Sequence, residues 1–436
     1  MKNIYIIQGA WMLVAAGAYF AGAYLPDSNP ASIKPGGVAA GVRRNSPTSG
    51  DAPAQSQSGT KAVIGAADRW LDSFRSGDGA ITPDRMKAAA LAVMRERDPV
   101  KFLLNSAMLL NELTPENATA AFDAVKENAG DPDSVRFLSI LADAWGKKDG
   151  AGALAAFNSL HRREGEMAKK TALSAWAASD PDAAGKWLQE HNSQKDPKAD
   201  PRQESALTEG MVTGLGRRNV DLALSYLLTL SEGQQGQYVG LLVEQKMKDD
   251  VAAGAGWAEA LPNAALRTTG MEIAGERFLR RDLDGAMKWA EKISGRPDAH
   301  EAVADIANEL ANRNGAEAVA WVAKLPAGPS QNHAFEDVFE NWTHSDPLGA
   351  SESLNAMTPG SGRDAAIQAF SNTLVKENPM DALTWASAIS DPGERVKLQL
   401  DLARRWNTRS PSEAQTWISA NLSPDLQARA LEPQKR

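Results

Sequence analysis

His333, Asp337, Glu340 and His344 follow one another at intervals of four, three and four residues, so on a helix they share one face. Two imidazoles and two carboxylates at that spacing form a donor set able to meet a divalent transition metal. The same segment carries Phe335, Val338, Phe339 and Trp342 on the opposite stripe. An amphipathic helix gathers its polar groups on one side whatever its task, so the four read first as a solvated face.

Other chemistry does not assemble. His161, His191 and His300 are scattered, and no pair of histidines forms the two-His helix motif of zinc hydrolases. No serine sits in a glycine-flanked nucleophile elbow. Asp282-Leu283-Asp284-Gly285 matches the opening of a calcium loop, but no ligand series follows it. Gly36 through Gly41 lacks both the preceding strand and the following Lys-Ser/Thr of a phosphate loop. Cysteine is absent, which excludes disulfides, thiolate zinc sites, a cysteine nucleophile and a lipid-modified cysteine. No catalytic, cofactor-binding or metal residue is assigned, and the chain is expected to be neither an enzyme nor a cofactor carrier.

The elements that position these residues are repetitive. Ten anchor slots, Ala121, Ala156, Trp187, Tyr226, Trp257, Trp289, Trp321, Ser353, Trp385 and Trp417, mark one helix-entry pattern, and the last six are 32 residues apart. Seven residues before each anchor stands Thr114, Asp149, Asp180, Asn219, Asp250, Asp282, Asn314, Asp346, Asn378 or Ser410. All ten carry a short side-chain oxygen able to accept from a free amide at a helix start. Proline follows five of them, at Pro115, Pro181, Pro347, Pro379 and Pro411, where its missing N–H costs nothing. Three residues before each anchor stands alanine, or Gly254 in one copy. Eleven before, the slot is apolar in nine of ten copies, with Lys246 the exception and Met247 beside it as its substitute.

Each unit thus reads as a first helix, a short turn, a second helix and a loop, with small and large side chains interdigitating between neighbours. Trp176 is expected to pack on Trp187, and Trp406 on Trp417, across the turn. Ten of the twelve tryptophans occupy two repeat slots and read as core, not as exposed stacking platforms. Between Trp187 and Tyr226 the spacing grows to 39, and the polar stretch from Gln194 to Arg202 reads as a loop insertion.

Such self-similarity specifies stacked units, none able to bury its apolar face alone. The fold class is all-α, an αα-hairpin repeat solenoid of about ten to eleven helix pairs. Residues 63–97 read as a degenerate first pair, 98–422 as the repeat array, and 423–436 as a capping helix and tail. Over 98–422 the two-helix unit, with its small-then-aromatic second helix, resembles tetratricopeptide-type repeats, at a period of 32 in place of 34. That resemblance implies a curved surface for binding a protein or peptide.

Residues 4–25 are uncharged and apolar, long enough at about 33 Å of helix to cross a bilayer. Tyr5, Trp11, Tyr19 and Tyr24 place aromatics toward both ends of this stretch. It reads as a membrane anchor; the alternative is a signal segment cleaved near Ala23, after the small residues Ala21-Gly22-Ala23. Residues 26–62, rich in Pro, Gly, Ser and Ala, read as a disordered linker. Of the formal charge of −8, residues 1–62 carry +3 and the remainder −11, an acidic array without a nucleic-acid footprint.

The sequence therefore points to a non-catalytic, exported, membrane-anchored scaffold that binds protein or peptide in the cell envelope. Two alternatives stay open. One is an α/α-toroid enzyme acting on polysaccharide, the other a structural envelope spacer.

Overall fold

The structure, a computed structural model, describes residues 65–194 and 200–431. Among these it contains helices joined by turns and no strand. The expected anchor at 4–25, the linker at 26–62 and most of the insertion loop lie outside the described residues. No helix among the described residues is long and apolar enough to cross a membrane. The chain falls into two compact units, with the boundary between Arg218 and Asn219.

Unit 1 contains α1 (65–72), α2 (Pro83–Met94), α3 (Pro99–Asn111), α4 (Pro115–Glu127), α5 (Pro132–Phe157), α6 (Arg162–Ser179), α7 (Pro181–Ser193) and α8 (Pro201–Arg218). The long α5 is two helices in line of sequence. Asp149 breaks it with a non-helical backbone (φ −152°, ψ 79°), at the turn the repeat requires. Helix α6 lies between α5 and α8, and the three make the densest packing of this unit.

Unit 2 opens with α9 (Val220–Leu227). Six helix pairs follow: α10 (Glu232–Met247) with α11 (Val251–Glu259), α12 (Ala264–Arg281) with α13 (Leu283–Ile293), α14 (His300–Arg313) with α15 (Gly315–Val322), α16 (Pro329–Ser345) with α17 (Pro347–Ala356), α18 (Ser361–Leu374) with α19 (Pro379–Ala386), and α20 (Pro392–Arg409) with α21 (Pro411–Asn421). Helix α22 (Pro424–Leu431) packs against the last pair. Each first helix from α10 to α18 packs on the next first helix, and each second helix from α11 to α19 sits against the first helices on either side of it. The unit is accordingly two-layered, first helices in one layer and second helices in the other.

The cap residue makes the corner. At Asp149, Asp180, Asp282, Asn314, Asp346 and Ser410 a single residue separates the two helices of a pair. Nine of the ten caps, all but Thr114, share an extended backbone with φ between −135° and −162°. The Asp346 amide still donates to Trp342 O (2.8 Å), and its carbonyl accepts from Ala350 N (3.1 Å), so the chain turns without losing its ladder. The Asp346 side chain then accepts from Gly349 N at 2.9 Å. Eight of the ten caps accept in this way. Thr114 and Ser410 do not; the Thr114 amide instead donates to Asn117 Oδ1 at 2.8 Å.

The alanine column is buried in every copy. Gly254 shows what it meets: a Cβ there would stand 2.2 Å from Met247 Cγ and 2.8 Å from Met247 Cα, on the end of the same pair's first helix. One turn further, the residue after each anchor is also buried in all ten copies, from Phe122 and Phe157 to Leu354, Ala386 and Ile418. Alanine and this residue, four apart, are the true core stripe of the second helix.

The tryptophans flank that stripe. Trp145, Trp289, Trp321 and Trp406 are buried, whereas Trp176, Trp187, Trp257, Trp342, Trp385 and Trp417 are half-buried, so the expectation of uniform core tryptophans is corrected. Two of the buried indoles reach the preceding pair through the ring nitrogen: Trp289 Nε1 donates to Glu259 and Trp321 Nε1 to Glu291, both at 2.9 Å. Trp176 and Trp187 pack with ring centroids 6.1 Å apart, and Trp406 and Trp417 at 6.4 Å. Lys246 keeps its slot by laying its ammonium over the Trp257 ring at 6.0 Å, while Met247 takes the buried position beside it.

Candidate functional site

The buried stripes of α12, α14 and α16 contain Met271, Ala274 and Phe278, then Val303, Ile306, Ala307 and Leu310, then Phe335, Val338 and Phe339. Helical periodicity leaves a second stripe on each helix, and here those stripes are polar. Glu272 and Glu276 lie on α12, Glu301, Asp305 and Asn308 on α14, and His333, Asp337, Glu340 and Asn341 on α16. Because consecutive first helices pack side by side, the stripes form one polar face across unit 2.

The contacts within it run between helices. His333 Nε2 is 3.3 Å from Glu301 Oε2 on α14, and its Nδ1 is 3.2 Å from Glu336 Oε2 on its own helix. A neutral imidazole has one N–H, so only the imidazolium donates to both carboxylates. The hydrogen bond to Glu336, with the charges of Asp337 and Glu301, raises the His333 pKa to about 9. Asn341 Nδ2 donates to Asn308 Oδ1 and Asn312 Oδ1, both at 2.7 Å. Arg277 pairs with Glu244 in the same sense, from one first helix to the one before.

Carboxylates outnumber cations on this face. Burial, then the charges of Glu272, Asp337, Glu276 and Glu301, pushes Asp305 up to about 6. Asp337 is raised by burial against the lowering effect of His333, and Glu272 by burial and by Glu301 and Glu276. A face with such a surplus of acid attracts positive charge.

The four residues singled out by spacing are only partly united here. His333 and Asp337 are half-buried in the polar face, so the expectation of a fully solvated set is corrected for these two. Glu340 is exposed, and His344 is exposed with Nδ1 2.8 Å from the Glu340 carbonyl, a local contact one turn back. The four do not converge as a metal-binding set.

Glu272, Asp305, Asn308 and Asn341 were not singled out by sequence, and only the slot of Asn308 carries a signal. Thirteen residues before the anchor, unit 2 reads Glu244, Glu276, Asn308, Glu340, Asn372 and Arg404. The slot is polar in all six copies, Glu in three, Asn in two and Arg in one. None of the six is buried. A slot that stays polar while its charge varies is the mark of a face left free by packing.

The chain matches no family model, no curated protein and no solved structure.

Proposed function

We propose that this protein is a non-catalytic, exported αα-repeat solenoid of tetratricopeptide-like class, anchored in the membrane through residues 4–25 and binding a protein or peptide in the cell envelope. The observation that carries this reading is the continuous polar face of α12, α14 and α16. It spans successive repeats, and its cross-helix contacts align side chains from different pairs. Repeat arrays use such faces for extended contact with a partner, without a catalytic group.

The test is site-specific crosslinking in the full-length protein. A photoreactive residue replaces exposed Glu340 on the first-helix face, or exposed Glu352 on the second-helix layer. A discrete protein adduct from position 340 and none from 352 is expected. Equal labelling from both positions, or none from 340, overturns the reading.

A further inference from the structure

We infer that α3 of unit 1 is a membrane-surface helix, which lays an apolar stripe into the interface of a bilayer with anionic headgroups. This rests on the reading of residues 4–25 as a membrane anchor and says how the anchored protein meets that surface.

The outward stripe of α3 is the reverse of what the other first helices carry. Met108 fills the slot thirteen residues before the repeat anchor, which is polar in the other nine copies, from Asp143, Ser174 and Thr213 to Arg404. Four residues earlier, Leu104 stands where the next three copies have Ser139, Lys170 and Glu209. One turn further back Val100 is 64% exposed. Leu103 and Ala107 complete the stripe, and with Leu104 and Met108 they are only half-buried. Residues at such intervals share one helix face.

The polar residues of α3 point the other way. Asn105 and Ser106 are buried together with Phe102, Leu109 and Leu110. The helix packs chiefly on α2 and α5, and these leave the outer stripe half open. A helix with asparagine and serine inward and leucine and methionine outward is built for an apolar contact on its outer side.

The charges at its start identify that contact. Arg95, Arg97 and Lys101 stand around the first turn of α3, and Arg136 of α5 joins them with its guanidinium 3.8 Å from the Phe102 ring centroid. All four are exposed, and none makes an ion pair among the described residues. The neighbouring acids are turned onto backbone amides. Glu96 accepts from Asp98 N at 2.9 Å, and Asp98 accepts from Val100 N at 2.9 Å and Lys101 N at 3.2 Å. Asp131 accepts from Asp133 N at 3.0 Å, which leaves Asp133 as the one carboxylate facing the four cations.

An aliphatic stripe flanked by unpaired arginine and lysine suits a helix lying in a bilayer interface, with side chains among the acyl chains and cations at the phosphates. The bilayer is also within reach. Residues 26–62, as a flexible coil, would span about 30–37 Å between a membrane-held segment and unit 1.

The chain has no cysteine, so one introduced cysteine is labelled alone. Full-length protein carrying Val100→Cys with a nitrobenzoxadiazole label is reconstituted into phosphatidylcholine vesicles with or without phosphatidylglycerol, each containing a doxyl-lipid quencher. Fluorescence should fall at least twofold in the anionic vesicles and by less than half that loss in phosphatidylcholine alone. A label at Leu348→Cys, as exposed but on α17 of unit 2, should lose less than a tenth. In anionic vesicles the loss at position 100 should be at least halved by Leu104→Ser/Met108→Ser and by Arg95→Gln/Arg97→Gln/Lys101→Gln, with circular dichroism showing each variant folded. Equal quenching at 100 and 348, equal quenching in the two lipids, or unchanged quenching in either variant overturns the inference. So does an unquenched label at 100, which would leave the stripe to a protein partner. Flotation separates the two readings: protein that floats with the vesicles unquenched refutes the α3 contact alone, whereas protein that floats with neither vesicle refutes the anchor as well.

Discussion

Gly315 opens α15 at the position where five other copies carry proline, and its replacement by alanine sets two physical effects against each other. Helix propensity favours alanine over glycine by up to about 1 kcal/mol, so propensity alone predicts a more stable protein. Packing predicts the reverse. A Cβ at position 315 would stand 2.1, 2.4 and 2.5 Å from Cδ2, Cγ and Cε2 of Trp342, where carbon atoms rest at about 3.5–4.0 Å. The clash falls on the body of the indole, whose ring packs 6.1 Å from Phe339 on the same helix, so no flexible chain end can yield. Overpacking of this kind costs about 1–3 kcal/mol, which leaves a net loss of about 1–2 kcal/mol. For a unit of this size that is a fall of about 2–8 °C in the melting transition, read by scanning calorimetry. Gly256 in α11 has open space around its Cβ position, and alanine there should raise stability by about 0.5–1 kcal/mol. Adding Trp342→Leu to Gly315→Ala should relieve the clash and show a coupling of at least about 0.5 kcal/mol in a double-mutant cycle. A Gly315→Ala protein that melts at or above the parent, or a cycle with no coupling, refutes the packing of successive pairs described here.

The remaining expectations concern the corner, the alanine column and the polar face. Asp346→Ala removes a side-chain cap and should cost about 0.5–2 kcal/mol, whereas Ser410→Ala, where no such bond exists, should cost much less in the same urea titration. Ala382→Leu should lose about 1–3 kcal/mol to strain; exposed Ala420 is the comparison, and leucine there should be close to neutral. Asp305 holds its proton in the folded state to about pH 6, above its unfolded value of 3.8, so stability present at low pH is lost as pH rises through that interval. Discounted for residual exposure, the loss is about 1–2 kcal/mol, and Asp305→Asn should flatten that limb of a melting-versus-pH profile. His333 is raised from 6.5 to about 9, so its contribution is complete below pH 6.5 and disappears as pH rises through 9, a limb that His333→Gln should flatten.

What sequence could read was whatever repeats. The caps, the alanine column and the paired indoles recur at fixed offsets, and the structure places all three where the offsets put them. The corner at Asp149 was legible even though the two helices it separates run on with hardly a break. Two features escaped because each is a difference between copies. Eight caps bond through Asp or Asn, whereas Ser410 makes no side-chain cap and the Thr114 corner is closed by the Asn117 side chain. The tryptophans were read as core because large apolar residues at fixed spacing usually are. Six of the ten in register are only half-buried, and of the buried ones Trp289 and Trp321 direct their indole nitrogens to Glu259 and Glu291. The same blindness hid the polar face: the slot of Asp305 reads Leu241, Ile273, Asp305, Asp337, Ala369 and Asp401, and that of Glu272 reads Gly240, Glu272, Ala304, Glu336, Gln368 and Leu400, so neither stands out as polar.

That division follows from how a repeat protein spends its residues. Burying alanine at one position and an apolar residue four later satisfies the second helix, and the corner needs one cap; those positions are held alike by packing in every pair. The outward stripe of each first helix touches only its neighbours' stripes, so packing asks of it no more than solubility. Glu244, Glu276, Asn308, Glu340, Asn372 and Arg404 meet that demand in three different ways. Solubility alone would not place Asp305 among four carboxylates that push it toward neutrality. Crowded acid across three consecutive helices is a cost to unit 2 at neutral pH. Neutralising Asp305 should therefore stabilise the protein there, whereas Asp284→Asn, at an exposed second-helix position, should be close to neutral in the same urea titration.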